Sequence, residues 1–224
     1  MIVYFKYFFY LAYHWNIKIA AYILYHEIKG EKKLKIHTTG IDKLKSLDKK
    51  DIDISHATIY MPVSYTIIGG ALNYLSSNNK NHFLDIGCGK GRAMCMAAHK
   101  GFKKITGIDF SKELCNKATD NLTITKKIIS DINFKIFNND AFYFEIPDDV
   151  DCIFLFNPFD EIIMSGVVEN ILISLEKKPR KLFVIYANPL HKELFIGAGF
   201  KEVYYTIKMK YLEVSVLENI IAAY

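Results

Sequence analysis

The chain is poor in the residues that build metal centres and disulfide frameworks. Its 224 residues hold only four cysteines, Cys88, Cys95, Cys115 and Cys152, with no C-x-x-C pair and no histidine at ligand spacing. Each falls in or beside an apolar segment, so they read as reduced, structural thiols. The seven histidines are scattered without an H-x-x-x-H pair, which leaves metal chemistry unsupported. There is no internal repeat and no low-complexity tract. A basic surface around the centre of the chain is also missing. The net charge of +5 comes from residues 1–50, with ten lysines against four acids, whereas residues 51–224 carry nineteen basic against twenty acidic side chains. A nucleic-acid partner is therefore not favoured.

What is abundant is apolar surface, 51% of the sequence, enough for one sizeable core plus an extension. Met1 to Ile28 is apolar and aromatic on most sides of a helical wheel, so this expected helix must be buried somewhere. It lacks the charged n-region and cleavage site of a secretory signal. Tyr7 to Tyr25 is long enough for a span, but Lys18 inside it would cost roughly 2.5–3.5 kcal/mol at the bilayer centre. Packing on the domain or on the mate of a homodimer is the first expectation, contact with a membrane surface the second, and a span the third. The basic run Lys29 to Lys35 would keep the remainder cytoplasmic in either membrane case. Residues 37–56, charged and poor in apolar positions, read as a linker or short surface helix. The expected division is an apolar helix and basic linker over 1–55 and the main domain over 56–224.

The densest signal is Phe83-Leu84-Asp85-Ile86-Gly87-Cys88-Gly89-Lys90-Gly91. An apolar strand ends near an acid and enters a turn whose glycines let backbone N–H groups approach a ligand. A dinucleotide fingerprint would place its third glycine one residue later. Asp85 would repel a pyrophosphate and attract a cation. A second strand, Lys104 to Asp109, ends in an acid 18 residues after Gly91. Asp109 can accept two hydrogen bonds from a ribose, or serve the start of the next helix, which Ser111 can cap.

This pattern resembles motif I of the class I S-adenosylmethionine-dependent methyltransferases, over roughly residues 56–217. The resemblance implies a doubly wound α/β fold with a mostly parallel seven-stranded sheet, a C-terminal antiparallel hairpin and S-adenosyl-L-methionine as cofactor. Asp85, Gly87, Gly89 and Gly91 would form the cofactor turn and Asp109 the ribose clamp. Asp140 would bind the adenine amino group, with Phe142 packed on the ring; Asp140 as a plain turn residue is the alternative. Tyr60 and Tyr65, flanking Pro62, would fold over the methionine end as a lid. Asn157-Pro158-Phe159-Asp160 follows the fourth strand, where substrate binds. It partly resembles the Asn-Pro-Pro-Tyr motif of enzymes that methylate amide or exocyclic amino nitrogens, and equally the Asn-then-Phe strand end of lysine methyltransferases. N-methylation of a protein lysine or amide is favoured, with a small molecule or nucleic-acid base behind it. The altered tetrapeptide also fits a non-catalytic cofactor-binding adaptor. Asp160 reads better as a helix-start acid than as a base, and His191 better as a loop residue than as a site residue.

The alternation of elements supports the same fold: helix 92–99, helix from Lys112, strand 132–137, strand 151–156, helix 162–175 and strand 182–187. Two β-rich runs, 202–209 and 211–217, close it.

Overall fold

Apolar runs of five or six residues are buried on both faces only where a sheet carries a covering layer on each side, and the strands form one such sheet. The computed structural model describes residues 2–40, 61–77, 80–156 and 159–220. Seven strands, β1 (His82–Ile86), β2 (Lys104–Asp109), β3 (Asn133–Asn138), β4 (Cys152–Phe156), β5 (Phe183–Ala187), β6 (Phe200–Lys208) and β7 (Leu212–Asn219), lie in the order β3-β2-β1-β4-β5-β7-β6. The first five are parallel, and β7 runs antiparallel to both neighbours. The β6–β7 reversal spans residues 209–211, with Met209 and Lys210 both at positive φ and Tyr211 N–H bonded to the Lys208 carbonyl. That geometry matches the twist of the strands it joins.

Helices α3 (Tyr65–Tyr74), α4 (Arg92–His99), α5 (Lys112–Ile128), α6 (Glu161–Lys177) and α7 (Lys192–Gly197) cover the sheet. Alternate strand residues divide between two core clusters. Phe83, Phe154 and Ile185 join α3 and α4, while Leu84, Ile153 and Val184 join α6. All four cysteines are free and buried.

The N-terminal segment is not the single helix expected over Met1 to Ile28. It is a hairpin of α1 (Ile2–His14) and α2 (Ile17–Leu34), broken where the Asn16 side chain caps α2 by accepting the Ile19 N–H at 2.9 Å. No helix among the described residues is long and apolar enough to cross a membrane. Tyr7, Leu11, Ile19, Ala20 and Ile23 form a small core of their own against Leu212, and Leu34 and Ile36 enter the main core. This answers the demand for burial by packing on the domain.

A buried ion pair fixes the hairpin. The Glu27 carboxylate receives both terminal nitrogens of the Arg92 guanidinium, and neither residue is more than 3% exposed. Arg92 also donates to the Val63 carbonyl and to Thr38 Oγ1, and its guanidinium lies 4.2 Å over the Tyr65 ring. Gly30 of α2 backs that ring, since a Cβ there would fall 2.5 Å from it. Glu31 accepts the N–H groups of Thr38 and Thr39 at 2.5 and 2.6 Å. Thr38 and Thr39 are therefore interior, not the surface linker expected from their polarity; the expected boundary at 55/56 and residues 41–56 of that linker lie outside the described residues.

Removing one partner of a buried pair leaves the other charge unpaired, which typically costs about 3–5 kcal/mol. Glu27→Gln is expected to lower the urea midpoint accordingly, and the double change with Arg92→Met to recover most of the loss.

Candidate active site

In an open α/β sheet the ligand crevice lies beyond the carboxyl ends of the strands, where neighbouring connections leave in opposite directions. Here that place is the carboxyl edge of β1 and β4: the chain moves from β1 outward to β2 and β3, then returns to β4 and β5. The glycine turn occupies it. Gly87, Gly89 and Gly91 have φ of 78, 52 and 78°, a region that favours residues without a Cβ. The Gly87 and Cys88 N–H groups both reach the Ile108 carbonyl at 2.9 Å, which seats the turn on the end of β2. Gly91 faces α5 instead of the crevice, since a Cβ there would meet Leu122 at 3.0 Å and Ala118 at 3.1 Å.

Two carboxylates underlie the turn. Asp109 is 6% exposed; one oxygen accepts the Gly89 N–H and the other the Ser111 N–H, each at 2.8 Å. Burial pushes its carboxyl up to about 6 despite those bonds. A carboxylate has about four lone-pair sites, so Asp109 keeps acceptor capacity beyond the two it uses. Ser111 caps α5 through the Leu114 N–H. Asp85 is 2% exposed, and no hydrogen bond reaches its carboxylate among the described residues. Burial first, and the nearby Asp109 charge second, raise its carboxyl well above the ordinary range. A buried carboxylate without a donor lacks a positive partner, and a group ending in an ammonium supplies one.

The other expected site residues divide. Asp140 is exposed at the end of β3, and its carboxylate accepts the Phe142 N–H at 2.9 Å, the turn function that was the alternative to adenine binding. The Phe142 ring lies against Gly166 of α6, where a Cβ would fall 2.5 Å from it. Phe159 is buried in the core cluster with Met164, so it is not an exposed stacking ring. Asp160 caps α6 through the Ile163 N–H at 3.1 Å. Tyr65 is 7% exposed beneath Arg92 and is no lid. His191 precedes α7 as its N-cap, without a side-chain capping bond. Tyr60, Asn157 and Pro158 lie outside the described residues. Among the described residues no group of three possible ligands could hold a metal ion.

Two features escaped the sequence reading. Phe110, half-buried directly after Asp109, is held at the β2 tip by Asn138, whose amide donates to the Asp109 and Phe110 carbonyls at 3.0 and 2.7 Å. The second is an apolar cavity of about 90 Å³ between the hairpin and the sheet edge. Tyr7, Trp15 and Ile23 of the hairpin wall it, with Phe156, Asn188 and Leu212 opposite, and Trp15 stacks on Tyr211 at 6.3 Å. Phe156 and Asp85 share one sheet face, the face that α4 covers.

Sheet order, glycine turn and acidic strand ends define a Rossmann-like protein built for a cofactor without a pyrophosphate. A family profile described as a methyltransferase domain matches residues 77–218. The chain belongs to that family, the S-adenosylmethionine-dependent methyltransferases of class I fold, and is an enzyme of that kind. No curated protein matches its sequence. Among solved structures, magnesium protoporphyrin IX methyltransferase from Synechocystis, crystallised with S-adenosylmethionine, is 13% identical with a TM-score of 0.53, covering 69% of this chain and 79% of that one. The ribosomal protein L11 methylase of Lactobacillus delbrueckii subsp. bulgaricus is 13% identical with a TM-score of 0.50, covering 69% and 78%. A small RNA methyltransferase is 12% identical with a TM-score of 0.57, covering 79% of this chain and 27% of its own. At these identities the likeness is one of fold.

Because the native state holds protons on Asp85 and Asp109 that the unfolded chain releases near pH 4, the cofactor-free protein loses stability as pH rises through about 6. Asp85→Asn removes one such group. Its urea midpoint is expected to exceed that of the parent by more at neutral pH than at about pH 5.

Proposed function

We propose that Asp85 and the Gly87–Gly89 turn hold the methionine end of S-adenosylmethionine, and that Asp109 accepts from the ribose. Asp140, whose Oδ1 accepts the Phe142 N–H, offers its other oxygen to the adenine edge, and Phe110 flanks the ring. The observation that carries this reading is the buried Asp85 carboxylate, unbonded among the described residues, at the crevice of the sheet. When bound, the cofactor supplies an electrophilic methyl group on a sulfonium. The protein's part is to orient the acceptor and exclude water, and alignment alone is worth about 7–11 kcal/mol in favourable cases.

The acceptor in this reading is a nitrogen, with a protein lysine or amide side chain ahead of a small molecule or a base. Asn157 and Pro158 directly follow Phe156, which lines the cavity, and their amide and carbonyl oxygens suit an N–H donor. Pockets enclosing whole small ligands run to roughly 300–1,000 Å³, so a cavity of about 90 Å³ suits one side-chain-sized group. Apolar walls also favour an amine in its uncharged, nucleophilic form, because burial lowers its pKa.

Ile23→Trp fills the cavity and is expected to reduce methyl transfer at least about tenfold while calorimetry finds cofactor affinity unchanged. With methyl-labelled cofactor and a cell lysate, acid hydrolysis of the product should return label as methylated lysine or as methylamine. Label lost to alkali as methanol would mark an ester and contradict nitrogen as acceptor.

A further inference from the structure

The inner faces of the hairpin meet each other and the domain, which leaves the outer face of α1 to be explained. Ile2, Phe5, Phe9 and Tyr13 follow one another at intervals of three, four and four, so they form one stripe along the helix. They are 73, 67, 54 and 86% exposed, and Ile17 at the start of α2 extends them. A soluble monomer rarely displays so continuous an apolar surface without a use for it.

The charges that residues 2–40 expose around the stripe are all of one sign. Residues 2–40 contain six lysines, Lys6, Lys18, Lys29, Lys32, Lys33 and Lys35, and every one is exposed. The two carboxylates of the same segment, Glu27 and Glu31, are buried in the network around Arg92, Thr38 and Thr39. The internal lock thus removes the negative charge from the hairpin surface and leaves the positive charge outside. Tyr4 of α1 donates to Glu31, which brings the lysine-rich end of α2 beside the start of the stripe.

Aromatic and aliphatic rows bordered by lysine match a helix that lies in the headgroup region of an anionic bilayer. A second copy fits less well. In a two-fold dimer the patch meets itself, so lysine would face lysine with no exposed acid of residues 2–40 to answer it. We propose that the outer face of α1, with the lysines of α2, docks on an anionic phospholipid surface and lies in the interface without crossing it. The proposal does not rest on which nitrogen is methylated. Its consequence for the enzyme is geometric: Tyr7, Trp15 and Ile23 of the same hairpin wall the acceptor cavity, so docking holds that cavity beside the bilayer.

The test is sedimentation of the full chain, without cofactor, with vesicles of phosphatidylcholine alone or with about one quarter phosphatidylglycerol. Expected is binding at least about tenfold tighter to the anionic vesicles, weakened by added salt. Phe5→Glu with Phe9→Glu should lower that binding about tenfold or more with thermal midpoint and circular dichroism unchanged. Lys29→Gln, Lys32→Gln and Lys33→Gln together should flatten its salt dependence. Equal or absent binding to both vesicles overturns the proposal. So does a concentration-dependent dimer in lipid-free solution that the Phe5/Phe9 double variant abolishes, because the face would then belong to a second copy.

Discussion

Two buried carboxylates beneath one glycine turn are the constraint on which the site depends. Asp85 and Asp109 stand at or near the carboxyl ends of adjacent parallel strands; burial opposes the ionisation of both, and the Asp109 charge adds to it at Asp85. Asp109 is partly answered by the Gly89 and Ser111 N–H groups, which also make it the residue that holds the turn in shape. Asp85 has no such answer among the described residues. A phosphate-bearing cofactor would add negative charge to this arrangement, whereas an ammonium would relieve it.

A second buried charge pair supports the first site from behind. Arg92 begins α4 immediately after the turn, and Glu27 reaches it from the N-terminal hairpin. The helix that follows the cofactor turn is thereby tied to a segment far away in sequence. Buried ion pairs are weak evidence for stability in themselves. Their geometric demand is strict, however, and here it sets where the hairpin sits and so one wall of the apolar cavity. The described part of the N-terminal segment contributes by packing, through Tyr7, Trp15 and Ile23 in the cavity wall.

Much of this was legible in the sequence because the central strands are fully buried and the turn chemistry is explicit. Helix 92–99 and strand 104–109 stand as read, bounded by glycines and an acid-serine cap. The hairpin break was not read, because a segment apolar on nearly all sides hides its own periodicity; Asn16, a good capping residue, was the available signal. Glu27 and Glu31, one helical turn apart in a lysine-rich stretch, carry no local sign of burial; only the tertiary structure pairs Glu27 with Arg92 and Glu31 with the Thr38 and Thr39 N–H groups. Phe159 turned inward because α6 starts at once from the Asp160 cap and leaves its ring on the core side. The short helix α7 and the placement of Thr38 and Thr39 depend on contacts too distant in sequence for local pattern to carry.

The most direct test is calorimetric titration of S-adenosylmethionine at about pH 6 in buffers of different ionisation enthalpy. Protons held by the two buried carboxyls should leave when the cationic cofactor binds, so the observed heat should vary with the buffer, and less so in Asp85→Asn. Heats independent of buffer, together with an unchanged affinity in that variant, would contradict the account.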